Sequence, residues 1–156
     1  MRSHIPCLFF SRKERAHIVQ AIRAAEGGTS AEIRVHVARK AWGDIVACAK
    51  AVFEQIGMTR TEHRNGALIY LSLEDRRFAI VGDTGIHEKV PGDFWDRLVR
   101  EATGHFAGDR FADGVREVVL LLGAELRKQF PQDQSRGNEL PDRISYERLW
   151  PKKQCR

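Results

Sequence analysis

The chain has 156 residues, the length of one domain, and its 42% hydrophobic and 30% charged residues with 13 Gly and 5 Pro exclude a fibrous or disordered protein. A net charge of +5 raises nucleic acid or a membrane surface as a partner, yet the excess lies at the ends. Residues 1–40 hold eight basic and three acidic side chains and residues 131–156 six and four, whereas residues 41–130 hold twelve and fourteen. Arg12, Lys13, Arg15 and Arg23 read as a solvated helix face. With no aromatic ladder, helix-turn-helix or RNA-binding signature beside them, nucleic acid is not the expected partner. Cys7, Cys48 and Cys155 are odd in number and widely spaced without a CxxC, which argues against a disulfide framework or a thiolate zinc site and for a reduced, cytoplasmic setting. The start Ile5 to Phe10 is too short for a secretory segment, and the apolar run Val118 to Ala124 is far below the roughly 20 residues that span a bilayer.

Ser11-Arg12-Lys13-Glu14 has capping-box spacing and predicts a helix start, followed by Ile18, Ala21, Ile22 and Ala25 on one face and a stop at Gly27-Gly28. Phe9 and Phe10 are expected to pack beside its first turn. Glu32 to Val37 alternates with period two, which predicts a half-buried strand whose Glu32, Arg34 and His36 face solvent or a site. Asp44 is placed to cap a second helix carrying Ile45, Ala49, Val52 and Ile56, with Gly57 as its stop. A polar loop, Thr59 to Arg64, leads to two apolar runs, Ala67–Leu73 and Phe78–Val81, around Glu74-Asp75-Arg76-Arg77, the pattern of a hairpin. Gly82-Asp83-Thr84-Gly85 breaks the second strand. Pro91-Gly92-Asp93 opens a helix with Phe94, Trp95, Leu98, Val99 and Ala102. Asp109 is expected to cap a last long helix on Phe111, Val115, Val118, Val119, Leu122 and Leu126, closed by Phe130-Pro131. Residues 131–156 are polar and without helical period, an extended or loosely docked extension. The order α-β-α-β-β-α-α implies an α/β protein with its sheet covered on both faces.

The segment Arg64-Asn65-Gly66-Ala67-Leu68-Ile69-Tyr70-Leu71-Ser72-Leu73 through Gly82-Asp83-Thr84-Gly85-Ile86 resembles the TPM domain, a family named for a thylakoid lumen protein, a photosystem II repair protein and a nematode receptor modulator. Thr29-Ser30-Ala31-Glu32-Ile33-Arg34-Val35 and the Phe106, Asp109, Phe111, Asp113-Gly114 pattern resemble it as well, so that residues 8–130 form the TPM-like domain. The resemblance implies a three-layer α/β/α sandwich, a small mixed sheet with helices on both faces. Some members resemble metal-binding acid phosphatases, and others are accessory modules attached to membrane proteins. Two positions depart from the family pattern: Ala31 stands where Gly is usual, and Arg64 where many members place an Asp before Asn-Gly, which argues against a carboxylate-rich metal site.

Chemistry points first to Asp83, a carboxylate on a Gly-flanked turn at a strand's end. It could ligate a hard cation, Ca²⁺ or Mg²⁺, with Glu32, Asn65 and Asp113, each at an element end in a piece that matches the family; or it could bond only backbone N–H groups of its own turn. Asp-Thr-Gly also occurs in aspartic proteases, whose chemistry needs two such carboxylates, and a single copy here does not supply them. The six histidines lack ligand spacing, and no G-x-S-x-G is present. His87, just after the turn, is either a proton carrier or an exposed helix-end residue. Two functions remain: a non-catalytic module that docks a protein partner through its sheet edge, its Phe9-Phe10 end or its tail, with a location peripheral to a membrane as the alternative to a free cytoplasmic one; or a divalent-metal-dependent, phosphatase-like site at the Asp83 turn.

Overall fold

The computed structural model describes residues 2–132 and 144–147. Helices α1 (Pro6–Phe9) and α2 (Arg12–Glu26) precede strand β1 (Glu32–Ala38), helix α3 (Ile45–Gln55) and strands β2 (Gly66–Ser72) and β3 (Arg77–Gly82). Helices α4 (Thr84–His87), α5 (Phe94–Ala107) and α6 (Phe111–Gln129) follow, and the short strand β4 (Ser145–Tyr146) comes last. The sheet has the order β3-β2-β1-β4, with β2 and β4 parallel to β1 and β3 antiparallel to β2.

The expected three-layer sandwich is present. Ile33, Val35 and Val37 of β1 with Ala67, Ile69 and Leu71 of β2 face α2, α5 and α6, where Ile18, Ile22, Leu98, Val119, Leu122 and Leu126 meet them. On the other face Leu68, Tyr70, Ala79 and Val81 pack on Cys48, Ala49 and Phe53 of α3 and on Met58. Two local devices fix the frame. Ser11 Oγ accepts from Glu14 N while the Glu14 carboxylate accepts from Ser11 N, so the capping box forms as the spacing predicts, and Asp44 caps α3 through Val46 N. The end of α6 is tied to the start of β1, where buried Thr29 donates its hydroxyl to the Leu126 and Phe130 carbonyls.

Four expectations change. Pro6–Phe9 is a helical turn, and Phe9 and Phe10 are buried in the core, while Ile5 and Leu8 beside them are exposed. Asp109 does not cap α6: its backbone is left-handed at φ 57°, taken up by the tight α5–α6 turn in which its N–H bonds the Phe106 carbonyl, and the following Arg110 has no side-chain cap bond. All seven residues of β1 are buried, Glu32, Arg34 and His36 included, so its polar face does not meet bulk solvent. In the tail, buried Ile144 joins the larger core and Ser145–Tyr146 adds a strand to β1, while residues 133–143 and 148–156, Cys155 among them, lie outside the described residues. No helix among the described residues is long and apolar enough to cross a membrane.

Helix α6 lies against α2 through small residues. A Cβ on Gly123 would stand 2.5 Å from Ala25 Cβ and 2.8 Å from its Cα, distances that force the helices apart. Gly123→Val is therefore expected to cost about 1–3 kcal/mol, the usual penalty for overpacking a filled core, read as a lower urea midpoint with an unchanged slope.

Candidate functional site

Topology gathers three of the four predicted residues. Because β1 and β2 run parallel in the register Glu32 to Gly66, Glu32 and Asn65 emerge at the same end, and Glu32 N donates to the Asn65 carbonyl. Strand β3 runs the other way, so its end arrives beside the start of β2, where Asp83 N donates to the Gly66 carbonyl at 2.9 Å. Glu32, Asn65 and Asp83 are all buried. Asn65 donates from Nδ2 to Ser30 Oγ at 3.2 Å, and its Oδ1, shut off from solvent, has no hydrogen-bond partner.

The fourth residue is elsewhere. Helix α6 has its last turn beside Thr29 and its first turn beside Leu71 and Leu73, at the opposite end of the sheet. A 19-residue helix is about 28 Å long, which carries Asp113 in its first turn far from Asp83. The Asp113 side chain is largely exposed, 4.0 Å from the Arg116 guanidinium. His87 is also exposed, its ring against Trp95.

What the nominated set omits is Arg64. Its backbone is left-handed at φ 48°, and its side chain grips Asp83 with two parallel bonds, Nε to Oδ2 at 2.7 Å and Nη2 to Oδ1 at 2.8 Å. This fork-to-carboxylate pairing is the strong geometry for an arginine, and the hydrogen bonds to Asp83, together with its charge, raise the guanidinium pKa above its ordinary value. Asp83 Oδ1 also accepts from Thr84 N at 2.8 Å, capping α4. The loop before β2 is locked from both sides: Asn65 N donates to the Thr61 hydroxyl, and Gly85 N donates to the Arg64 carbonyl. Gly85 admits that contact because any side chain there would collide with the His63 and Arg64 carbonyls.

Both oxygens of Asp83 are already engaged by Arg64. Ca²⁺ and Mg²⁺ need several oxygens turned inward, while both oxygens of Asp83 are held by a fixed positive charge. Among the described residues no three His, Cys, Asp or Glu side chains gather closely enough to hold a metal ion.

The turn with Asp83, the Asn65-Gly66 strand start and the sandwich around them coincide with a known family: the model of the TPM domain matches residues 7–125. The chain belongs to the TPM domain family. Among solved structures, this TPM domain is similar to the BA42 protein of the psychrophilic bacterium Bizionia argentinensis, with 38% identity and a TM-score of 0.84 over 89% of this chain and 96% of that one. The N-terminal domain of a protein from P. gingivalis shares the fold at 22% identity and a TM-score of 0.63, covering 78% of each chain. So does the N-terminal domain of the cg2496 protein of Corynebacterium glutamicum, at 16% identity and a TM-score of 0.60 over 92% and 84%. No curated protein matches the chain.

Behind the site, on the buried polar face of β1, His36 stacks on Tyr70 with ring centroids 5.6 Å apart, and its Nδ1 lies 2.8 Å from Ser145 Oγ. Burial, with a smaller contribution from nearby Arg34, lowers its pKa from 6.5 to about 4. The unfolded chain then binds a proton that the native state refuses, so stability is full above pH 6.5 and falls as the pH drops toward 4. The TPM domain is expected to lose on the order of 3 kcal/mol over that window from this group, at about 1.4 kcal/mol per pKa unit, and His36→Phe to flatten that part of the curve in urea titrations across pH.

Proposed function

We propose that this TPM domain is a non-catalytic binding module that docks a protein partner, in preference to a metal-dependent phosphatase. The Arg64–Asp83 pair carries the reading: at the position where the family commonly offers an acid, this chain supplies the cation itself. A phosphate-handling site built on Asp83 would need that carboxylate free to face a metal or a proton, and two short bonds to a guanidinium oppose both. The partner is taken to be a protein and not nucleic acid, since the basic excess lies in the first 40 residues and the tail, outside the slightly acidic segment 41–130.

Melting the protein with and without 10 mM Ca²⁺ or Mg²⁺ tests the reading. No rise in Tm is expected, whereas an ion at a hundred times its Kd would add about 2.7 kcal/mol, roughly 5–10 °C for a chain of this size. Arg64→Asp, which replaces the internal cation by an acid, is expected to gain a cation-dependent rise that the natural sequence lacks. A rise in the natural protein that Asp83→Ala abolishes, or hydrolysis of p-nitrophenyl phosphate that depends on Asp83, would overturn it in favour of the metal-dependent phosphatase.

A further inference from the structure

At the other end of the sheet, where β2 finishes, the β2–β3 turn, the α5–α6 corner and the chain before α2 enclose a cleft of about 830 Å³, within the size range of small-molecule sites. Its floor is a chain of phenylalanine rings. Phe78 meets Phe106 edge to face at 5.0 Å, Phe106 stacks on Phe111 at 5.4 Å, and Phe111 meets Phe9 at 5.2 Å, with Phe78, Phe106 and Phe111 only partly buried. Rings left half-covered in a cleft are apolar surface that a flat or chain-like body can remove from water.

The rim is basic, and among the described residues one charge on it has no carboxylate partner. Arg2 is held by Glu14 at 2.7 and 2.9 Å, with Asp109, the one carboxylate that lines the cleft among the described residues, also within electrostatic reach. Arg77 lies 3.6 Å from Asp75 and bonds the Gly43 carbonyl. Arg76, next to Arg77 in the β2–β3 turn, lines the cleft, is exposed, holds a left-handed backbone at φ 50°, and has no carboxylate partner among the described residues. Open α/β sheets collect ligands at the carboxyl ends of their parallel strands, and Leu71, Ser72 and Leu73 at the end of β2 line this cleft.

We infer that the cleft binds a small amphipathic organic anion, an aromatic or short acyl body lying on Phe78, Phe106 and Phe111 with a carboxylate, phosphate or sulfonate head on Arg76. One guanidinium without a carboxylate partner among the described residues suits one anionic head and not a polyanion, and the aromatic floor favours a head that carries an apolar body over a bare inorganic ion. The inference is independent of the Asp83 turn, which lies at the opposite end of the sheet.

The test is a fluorescence titration of the full chain with 1-anilinonaphthalene-8-sulfonate, an aromatic body with one anionic head, competed by 1-naphthoate and by decanoate. Saturable 1:1 binding displaced by either acid is expected, and the acid that competes better identifies the body as aromatic or acyl. Arg76→Gly suits the left-handed backbone and so keeps the fold; it should weaken binding about tenfold, as loss of a charged hydrogen bond does, while Lys50→Ala, an equal change of charge on α3, leaves it unchanged. The uncharged N-phenyl-1-naphthylamine should bind at least about tenfold more weakly by the same reasoning. Unchanged affinity in Arg76→Gly, equal binding of the uncharged dye, or amide NMR shifts that avoid Leu71–Phe78 and Phe106–Phe111 would overturn the inference.

Discussion

Strand β1 lies inside the molecule along its whole length, and both halves of the sandwich are organised by what its two faces require. Ile33, Val35 and Val37 demand an apolar cover, which α2 and α6 provide as a pair drawn together by the Ala25–Gly123 contact. Glu32, Arg34 and His36 demand hydrogen-bonding or aromatic neighbours, and His36 finds them in Tyr70 and Ser145. A strand of this kind cannot slip by one residue, because a slip would turn every charge into the apolar layer. Its register against β2 is thereby fixed, and with it the meeting of Glu32, Asn65 and Asp83 at one end.

That meeting was legible in the sequence to the extent that chain direction was. Alternation marked β1, the hairpin pattern marked β2 and β3, and a hairpin necessarily returns its end to its beginning, which places Asp83 next to Gly66. The course of α6 relative to the sheet follows no local rule; it is set by Thr29 catching the Leu126 and Phe130 carbonyls, a contact across about a hundred residues, so Asp113 could not be placed from its neighbours. Arg64 was visible as a departure from the family pattern, but its grip on Asp83 depends on a left-handed backbone that a lone arginine does not advertise. The same holds for Arg76 and Asp109, non-glycine residues whose positive φ comes from the turns that enclose them. The polar face of β1 read as facing solvent or a site because the strand that closes its edge, formed by residues 145–146, comes far along a tail without helical period.

The two ends of the sheet differ in chemistry. At the amino ends of β1 and β2 the polar groups are packed, short-bonded and largely neutralised by one another, and the loop is held by Thr61 and Gly85. At the carboxyl end of β2 the surface is aromatic, open and basic at its mouth. An end closed by an internal ion pair and an open, aromatic one thus stand at opposite ends of the same sheet, and the helix α6 that joins them is anchored at the first.

The last described strand has a further consequence for how the fold is bounded. Residues 7–125 match the family, yet the edge of β1 is completed by residues beyond them: Glu147 N donates to the Val37 carbonyl, Arg39 N to the Glu147 carboxylate, and Ser145 Oγ to the Val35 carbonyl. Without that segment a strand buried at every residue becomes the border of the sheet, with main-chain groups open to a strand from another molecule. Residues 145–147 thus close an edge that the family-matched portion, residues 7–125, leaves open.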